Sequence, residues 1–298
     1  MRVGIDIGGS HVGIGLIDSD KIIDTIDINL TREDRHDFFG SILRISISSI
    51  NELLNRNSID LNSIDLIGIA APGDIRDNKI VRSDNLGLYD SDIAGKIYEY
   101  FNIPVQVRND AKCAGLAEMK FGAMRGFNDC VFLGLGTGIG GAVFLNGDLL
   151  KNGTGFEIGH MIINKGGRQC SCGKRGCFET YASIRAFKNK VAEVLDIDND
   201  FSGQYLRENL LDFDNPKVRE VIDQFIDDLI VGISNMIDIF EPDVVCLGGS
   251  FSYYEGHRVF NELLSRIRED GRVRCSKLPK IVLAELKNDA GIIGATIE

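Results

Sequence analysis

The chain has no run of apolar residues long enough to span a bilayer, and its first residues, MRVGIDIGGS, carry no charged and apolar leader. Both absences point to a cytoplasmic protein. Only five prolines occur, and no Pro-, Gly- or Ser-rich low-complexity stretch separates one part of the chain from another. Domain boundaries must therefore be read from pattern. Positive charge is scarce: 33 Lys and Arg stand against 44 Asp and Glu, a net charge of -11. That balance argues against a nucleic-acid partner bound by neutralising phosphates, which needs clustered cations. The cysteines number seven, an odd count, and Cys113, Cys130, Cys246 and Cys275 stand alone, as in a reducing compartment. What is present is globular, since 298 residues at 44 % hydrophobic suffice for two domains with substantial cores.

The other three cysteines lie in GFEIGHMIINKGGRQCSCGKRGCFETYAS, residues 155–183. Cys170, Cys172 and Cys177 read C-x-C-x-x-x-x-C, with Gly173 and Gly176 giving the chain freedom to fold its ligands around one point. His160, ten residues upstream, can complete a tetrahedral set. Thiolates and an imidazole suit zinc, and four protein ligands suit a structural ion. The plainer alternatives are reduced thiols in a surface loop or a disulfide.

Taken in order, Val3, Ile5 and Ile7 alternate, Gly8-Gly9-Ser10 turns, and Val12, Ile14 and Leu16 alternate again, which predicts a hairpin with a third strand near residues 22–28. Thr31 and Asp34 resemble a capping box before a helical stripe from Phe38 to Leu54. A strand at 64–70 runs into Ala71-Pro72-Gly73, and one at 103–107 ends in Asn109-Asp110 before a helix. The strand-turn-strand unit recurs as LGLGTGIGGAVFLNGDLL, so two related α/β domains are expected: 1–112 with a C-terminal helix at 289–298, and 113–288 carrying the cysteine loop. Small residues in DAGIIGA would let that terminal helix pack tightly between domains. Gly136, Gly138 and Gly141 match G-x-G-x-x-G, yet the residues after them read as a strand, which excludes a Rossmann dinucleotide site. A long apolar stripe from Val218 to Phe240, ending before Pro242, is a core helix. Val244–Leu247 then enters Gly248-Gly249-Ser250, a further close-approach loop.

Two glycine hairpins suit the phosphates of a nucleotide, because backbone N–H groups reach phosphate oxygens only where no Cβ intervenes. Gly8, Gly9, Ser10, Thr137, Gly138 and Gly249 are the candidate contacts, and Asp6 would hold Mg²⁺ directly or through water. Phosphoryl transfer also needs a base for the acceptor hydroxyl; Asp110 is the candidate, with Asn109 orienting the acceptor, although Asn-Asp after a strand is more often a helix cap. Glu157, Glu179 and Asn85 are available for a polyol, with Gly73 in the neighbouring turn.

The combination of DIGGS at 6–10, APG at 71–73, NDA at 109–111, LGTGIGG at 135–141, EIGH at 157–160, CSCGKRGC at 170–177 with Glu179, and LGG at 247–249 resembles the ROK family of repressors, open reading frames and kinases. The resemblance implies an actin-like ATPase (ribonuclease H-like) fold, two α/β domains around a central cleft, and commonly a homodimer transferring the ATP γ-phosphate to a sugar hydroxyl. It implies Asp110 as base, Asn109, Glu157, His160 and Glu179 on the sugar, and zinc on His160, Cys170, Cys172 and Cys177, one imidazole nitrogen serving metal and the other sugar. The nearest branch is that of glucokinases acting on the 6-hydroxyl, with N-acetylmannosamine and N-acetylglucosamine kinases as the alternative. A sugar-sensing regulator is the alternative of another class; it would need a helix-turn-helix ahead of the first hairpin, which here begins at residue 2. Three positions depart from the family pattern: His11, Lys112 and Phe156.

Overall fold

In the computed structural model, residues 1–150, 157–271 and 278–297 are described; Phe156 and Cys275 lie outside them. The chain divides into two compact units, the first built on Met1–Gly122 with residues from 288 onward, the second on Ala123–Leu150 and residues 157–287. The expected boundary after residue 112 cuts through the Asp110–Phe121 helix, and a continuous helix goes with one unit.

In the first unit β1 (Arg2–Ile7), β2 (His11–Asp18) and β3 (Lys21–Asn29) form an antiparallel meander. β4 (Leu66–Ala71) lies parallel beside β1. β5 (Asp74–Arg76), β6 (Lys79–Ser83) and β7 (Leu88–Ser91) make a small sheet of their own, and β8 (Val105–Asn109) joins parallel to β4. The order across the main sheet is β3-β2-β1-β4-β8. Its apolar residues, among them Val3, Ile5, Ile14, Ile67 and Ile69, form one core with Ile42, Ile50 and Leu53 of the Phe38–Arg56 helix. Thr31 and Asp34 do form a reciprocal capping box, on a short helix just before it. The small sheet has no counterpart in the sequence reading, because its strands are three to five residues long and leave Val81 and Tyr89 exposed.

The second unit repeats the plan. β9 (Cys130–Leu135), β10 (Ile139–Leu145) and β11 (Asp148–Leu149) are antiparallel, while β12 (Val244–Gly249) runs parallel to β9 and β13 (Lys280–Leu283) parallel to β12. The order β11-β10-β9-β12-β13 matches that of the first sheet strand for strand. A strand, β10, follows the glycine turn, as the sequence pattern predicts. The Pro216–Phe240 helix begins with Pro at its first turn, capped by Asn215, and buries Val218, Ile222, Phe225, Ile226, Leu229 and Ile233. Phe225 stacks on Phe187 of the Ile184–Leu195 helix with ring centroids 4.0 Å apart.

The Asp289–Ala295 helix packs on the first sheet, where Gly4 and Gly68 admit it: a Cβ at Gly68 would strike the Ala295 carbonyl, and one at Gly4 the Ile292 carbonyl. Backbone lies on backbone there, which no larger residue permits. Gly68→Ala should therefore cost roughly 1–3 kcal/mol in urea unfolding, the usual penalty of overpacking. A loss below about 0.5 kcal/mol, typical of a surface change, would show that the helix is not seated on Gly68.

Candidate active site

Because β1, β4 and β8 are parallel, their carboxyl ends share one edge: Asp6 pairs in register with Ala70, and Ala70 with Arg108. Three motifs distant in sequence are thereby neighbours. Beyond β1, the Gly8 N–H donates to the His11 carbonyl at 2.9 Å, closing a turn in which Gly9 and Ser10 are exposed. His11 is exposed with its ring beside Gly8, and the Asn85 carbonyl lies near Gly9; Asn85 is exposed too. Beyond β4, Gly73 has φ +114°, left-handed backbone that favours glycine. Beyond β8, the Asn109 side chain caps the Asp110–Phe121 helix by accepting from the Lys112 N–H at 3.3 Å, and donates to the Gly73 carbonyl at 3.2 Å. Asn109 thus joins two of the three turns. The Asp110 carboxylate accepts from the Ala111 N–H at 2.8 Å. Lys112 is buried within the helix, at 7 % exposure.

Asp6 sits among like charges. Burial first, then the nearby Asp110 and Asp27 carboxylates, push its pKa up to about 7. Gly291, on the C-terminal helix, is what lets it fit, since a Cβ there would collide with the Asp6 carboxylate. The sequence reading did not include Asp27 or Gly291: Asp27 reads as an ordinary strand residue, and only the small-residue run around Gly291 hinted at a close approach. Carboxylates gathered this way invite a divalent cation, and the donor set fits magnesium, which takes one or two carboxylates and keeps its water.

In the second unit, β9 and β12 end together, Leu135 pairing with Gly249. The Gly136 N–H donates to the Gly138 carbonyl at 2.9 Å and leaves Thr137 exposed at the tip. Gly249 has φ +62° and lies against Leu135. The cysteine loop stands next to this hairpin. His160 closes the short helical turn Ile158–His160, which packs on β10, while Glu157 at its start is exposed. Phe178 ties the loop to the core: its N–H donates to the Met161 carbonyl at 2.8 Å, and its ring fills the space above Gly232 in the Pro216–Phe240 helix.

The ligand atoms of His160, Cys170, Cys172 and Cys177 all lie within 4.8 Å of one another. The His160 Nδ1 is 3.6 Å from the Cys170 Sγ, and the Cys172 and Cys177 Sγ atoms are 3.6 Å apart. A tetrahedral site with metal–sulfur bonds of about 2.3 Å has sulfur–sulfur edges of about 3.8 Å, so three thiols and an imidazole at these spacings fit zinc. Glu179 lies between this cluster and the hairpin, accepting from the Ile139 N–H at 3.2 Å. A polar cavity of about 350 Å³ opens beside Glu179, with Arg168, Ser183, Arg185, Asn189 and Lys190 in its walls.

The sequence matches the ROK family over residues 2–297. The chain belongs to the ROK family. Among ROK relatives, a glucokinase of Halalkalibacterium halodurans is 30 % identical across 98 % of this chain and 92 % of its own length. A xylose repressor of Bacillus subtilis is also 30 % identical, across 89 % of this chain and 68 % of its own length. The crystal structure of a ROK family glucokinase from Streptomyces griseus, in complex with glucose and AMPPNP, superposes with a TM-score of 0.81 at 25 % identity, covering 99 % of this chain and 97 % of the other. The fold is accordingly the actin-like ATPase fold of ROK kinases, with two α/β domains, as the motifs implied.

Asp6 carries a pH signature. Between about pH 4 and pH 7 the folded chain holds a proton on Asp6 that the unfolded chain has released, so the stability linked to this group falls as pH rises through that window. Without magnesium or nucleotide, Asp6→Asn should melt above the wild type at pH 8, with the gap closing toward pH 4. A difference in Tm independent of pH would mean that Asp6 is not the strained acid.

Proposed function

We propose that this protein is an ATP-dependent sugar kinase that transfers the γ-phosphoryl group to the 6-hydroxyl of a hexose, glucose by preference. The observation that carries the reading is the shared edge of β1, β4 and β8, where a glycine turn with an acidic residue behind it lies next to a carboxylate at a helix start. One element suits phosphates and the other a hydroxyl proton. Glucokinase relatives support the choice of glucose; the repressor relative keeps the sugar sensor in view as the reading that failure would favour.

Asp110 takes the proton of the acceptor hydroxyl as its bond to phosphorus forms. Asn109, by capping the helix and holding the Gly73 carbonyl, keeps that carboxylate in place and presents the turn to the sugar. Gly73, Asn85, Glu157, His160 and Glu179 supply donors and acceptors to the vicinal hydroxyls. His160 has its Nδ1 toward the cysteines, which leaves Nε2 for a hydroxyl. Gly8, Gly9, Ser10, Thr137, Gly138 and Gly249 offer backbone and hydroxyl donors to the nucleotide. Asp6 would hold magnesium, which when bound neutralises charge on the phosphates. His160, Cys170, Cys172 and Cys177 would hold zinc, which stiffens the loop carrying Glu157 and Glu179 and supplies no chemistry to the transfer.

ADP release should be measured with ATP, Mg²⁺ and a panel of glucose, mannose, N-acetylmannosamine, N-acetylglucosamine, allose and fructose. The expected result is the highest kcat/KM for glucose; a higher value for an N-acetylated sugar overturns the substrate, and no turnover with measurable sugar binding overturns the kinase. Asp110→Asn should keep sugar binding while kcat falls roughly 10² to 10⁴-fold, the worth of a general base. Wild-type turnover in that variant would remove Asp110 from the role. Metal analysis should find about one zinc per chain, the load of one four-ligand site; a folded, active sample without zinc would exclude it.

A further inference from the structure

Glu179 is expected on the sugar, yet its carboxylate is engaged in a way that no sugar contact requires. One oxygen, Oε2, accepts from the backbone N–H of Ile139, the first residue of β10 after the glycine turn, at 3.2 Å. The other, Oε1, lies 3.6 Å from the Cys170 Sγ and 3.9 Å from the His160 Nδ1. The side chain is 12 % exposed, so these contacts are made out of bulk water and count for more than at a surface. Gly138 makes room: a Cβ there would strike Oε2. A single carboxylate therefore spans from the Cys/His cluster to the underside of the hairpin whose exposed tip, Thr137, is the proposed phosphate contact.

The chain path strengthens the link. Cys177 lies two residues before Glu179, and Phe178 between them is fully buried, so fixing the Cys177 sulfur fixes the backbone that carries the carboxylate. The turn holding His160 rests on the same strand, with no room for a Cβ between Gly159 and the Ile139 carbonyl. Ligands held at fixed spacing by a cation hold Glu179 with them, and the carboxylate so placed keeps its Oε2 on the Ile139 N–H. A filled centre thus orders the hairpin from below.

We propose that Glu179 is a positioning residue that couples the Cys/His centre to the glycine hairpin, so that a tetrahedral divalent cation in the centre raises the hairpin's affinity for nucleotide phosphates. The proposal rests on the kinase reading above. Groups that orient the ligands of a metal site are commonly worth 10- to 100-fold in affinity or activity, which sets the scale.

The test uses the full chain, stripped of zinc by a chelator or reloaded with it, and MgADP as probe in calorimetric titration. Zinc should tighten MgADP binding roughly tenfold in the wild type. By reciprocity MgADP should tighten zinc binding by the same factor, read by competition with a chromogenic chelator. In Glu179→Gln and in Gly138→Ala, whose methyl displaces the carboxylate without touching the cluster, zinc should change MgADP affinity less than about twofold. An unchanged zinc effect in both variants, or none in the wild type, overturns the coupling. Should the stripped chain unfold, amide exchange at Ile139 in the zinc-loaded proteins decides: protection and MgADP affinity are expected to fall together in Glu179→Gln, and loss of protection at constant affinity overturns the proposal. Absence of any MgADP binding in zinc-loaded wild type overturns the kinase reading, and the coupling with it, whereas equal binding in both zinc states overturns the coupling alone.

Discussion

A half-buried carboxylate beside two others favours a proton or a cation, and Asp6 takes that position at one edge of the first sheet. Burial and the charges of Asp110 and Asp27 act in the same direction. Above the pH at which Asp6 loses its proton the arrangement costs stability, and a counter-charge would offset that cost. It can be tolerated because the rest of the sheet is apolar and tightly packed: Val3, Ile5, Ile14, Ile67 and Ile69 are all fully buried. It can be closed because Gly4, Gly68 and Gly291 let a helix lie within backbone distance of the strands.

The second unit uses the same strand order with different residues at its strand ends. Where the first sheet carries Asp6 and Asp110 at its strand ends, the second carries a glycine turn, Gly249 and the short path to the cysteine loop. Backbone amides are partial positive charges fixed by the fold, so they suit anions without the desolvation penalty of a buried lysine. The acid beside this hairpin, Glu179, accepts from an amide of the hairpin itself. The repeat therefore supplies a scaffold rather than a function, and each copy is made distinct by the few residues that follow its strands.

Most of the fold was legible because its signals are local. Alternation in β1, β2, β9 and β10, the stripe of the Pro216–Phe240 helix and the Thr31–Asp34 box each lie within a few turns of chain, and the structure carries them nearly unchanged. The tetrad of His160, Cys170, Cys172 and Cys177 was legible for the same reason, since its spacing is its geometry. Interactions that cross the sequence were not. Nothing in the run around Glu179 announces a bond to Ile139, forty residues earlier, and nothing in DAGIIGA says that Gly291 faces Asp6 and not a neighbouring helix. Asn109 shows the intermediate case: capping could be read from its place after a strand, but the bond to Gly73 depends on β4 and β8 lying in register.

The two metal sites implied by these residues divide the work by chemistry. Carboxylates around Asp6 would hold a hard ion that keeps most of its water, which suits an ion that arrives with a substrate and leaves with a product. Three thiols and an imidazole gathered at one point, as in His160, Cys170, Cys172 and Cys177, suit a softer ion and would leave it no open position, which fits an ion that stays. Only a site whose ion stays can act as a structural reference for its surroundings. That the residue between it and the hairpin is a carboxylate, and not an apolar side chain of similar length, is then intelligible: a directional acceptor transmits position, while packing alone would transmit only volume.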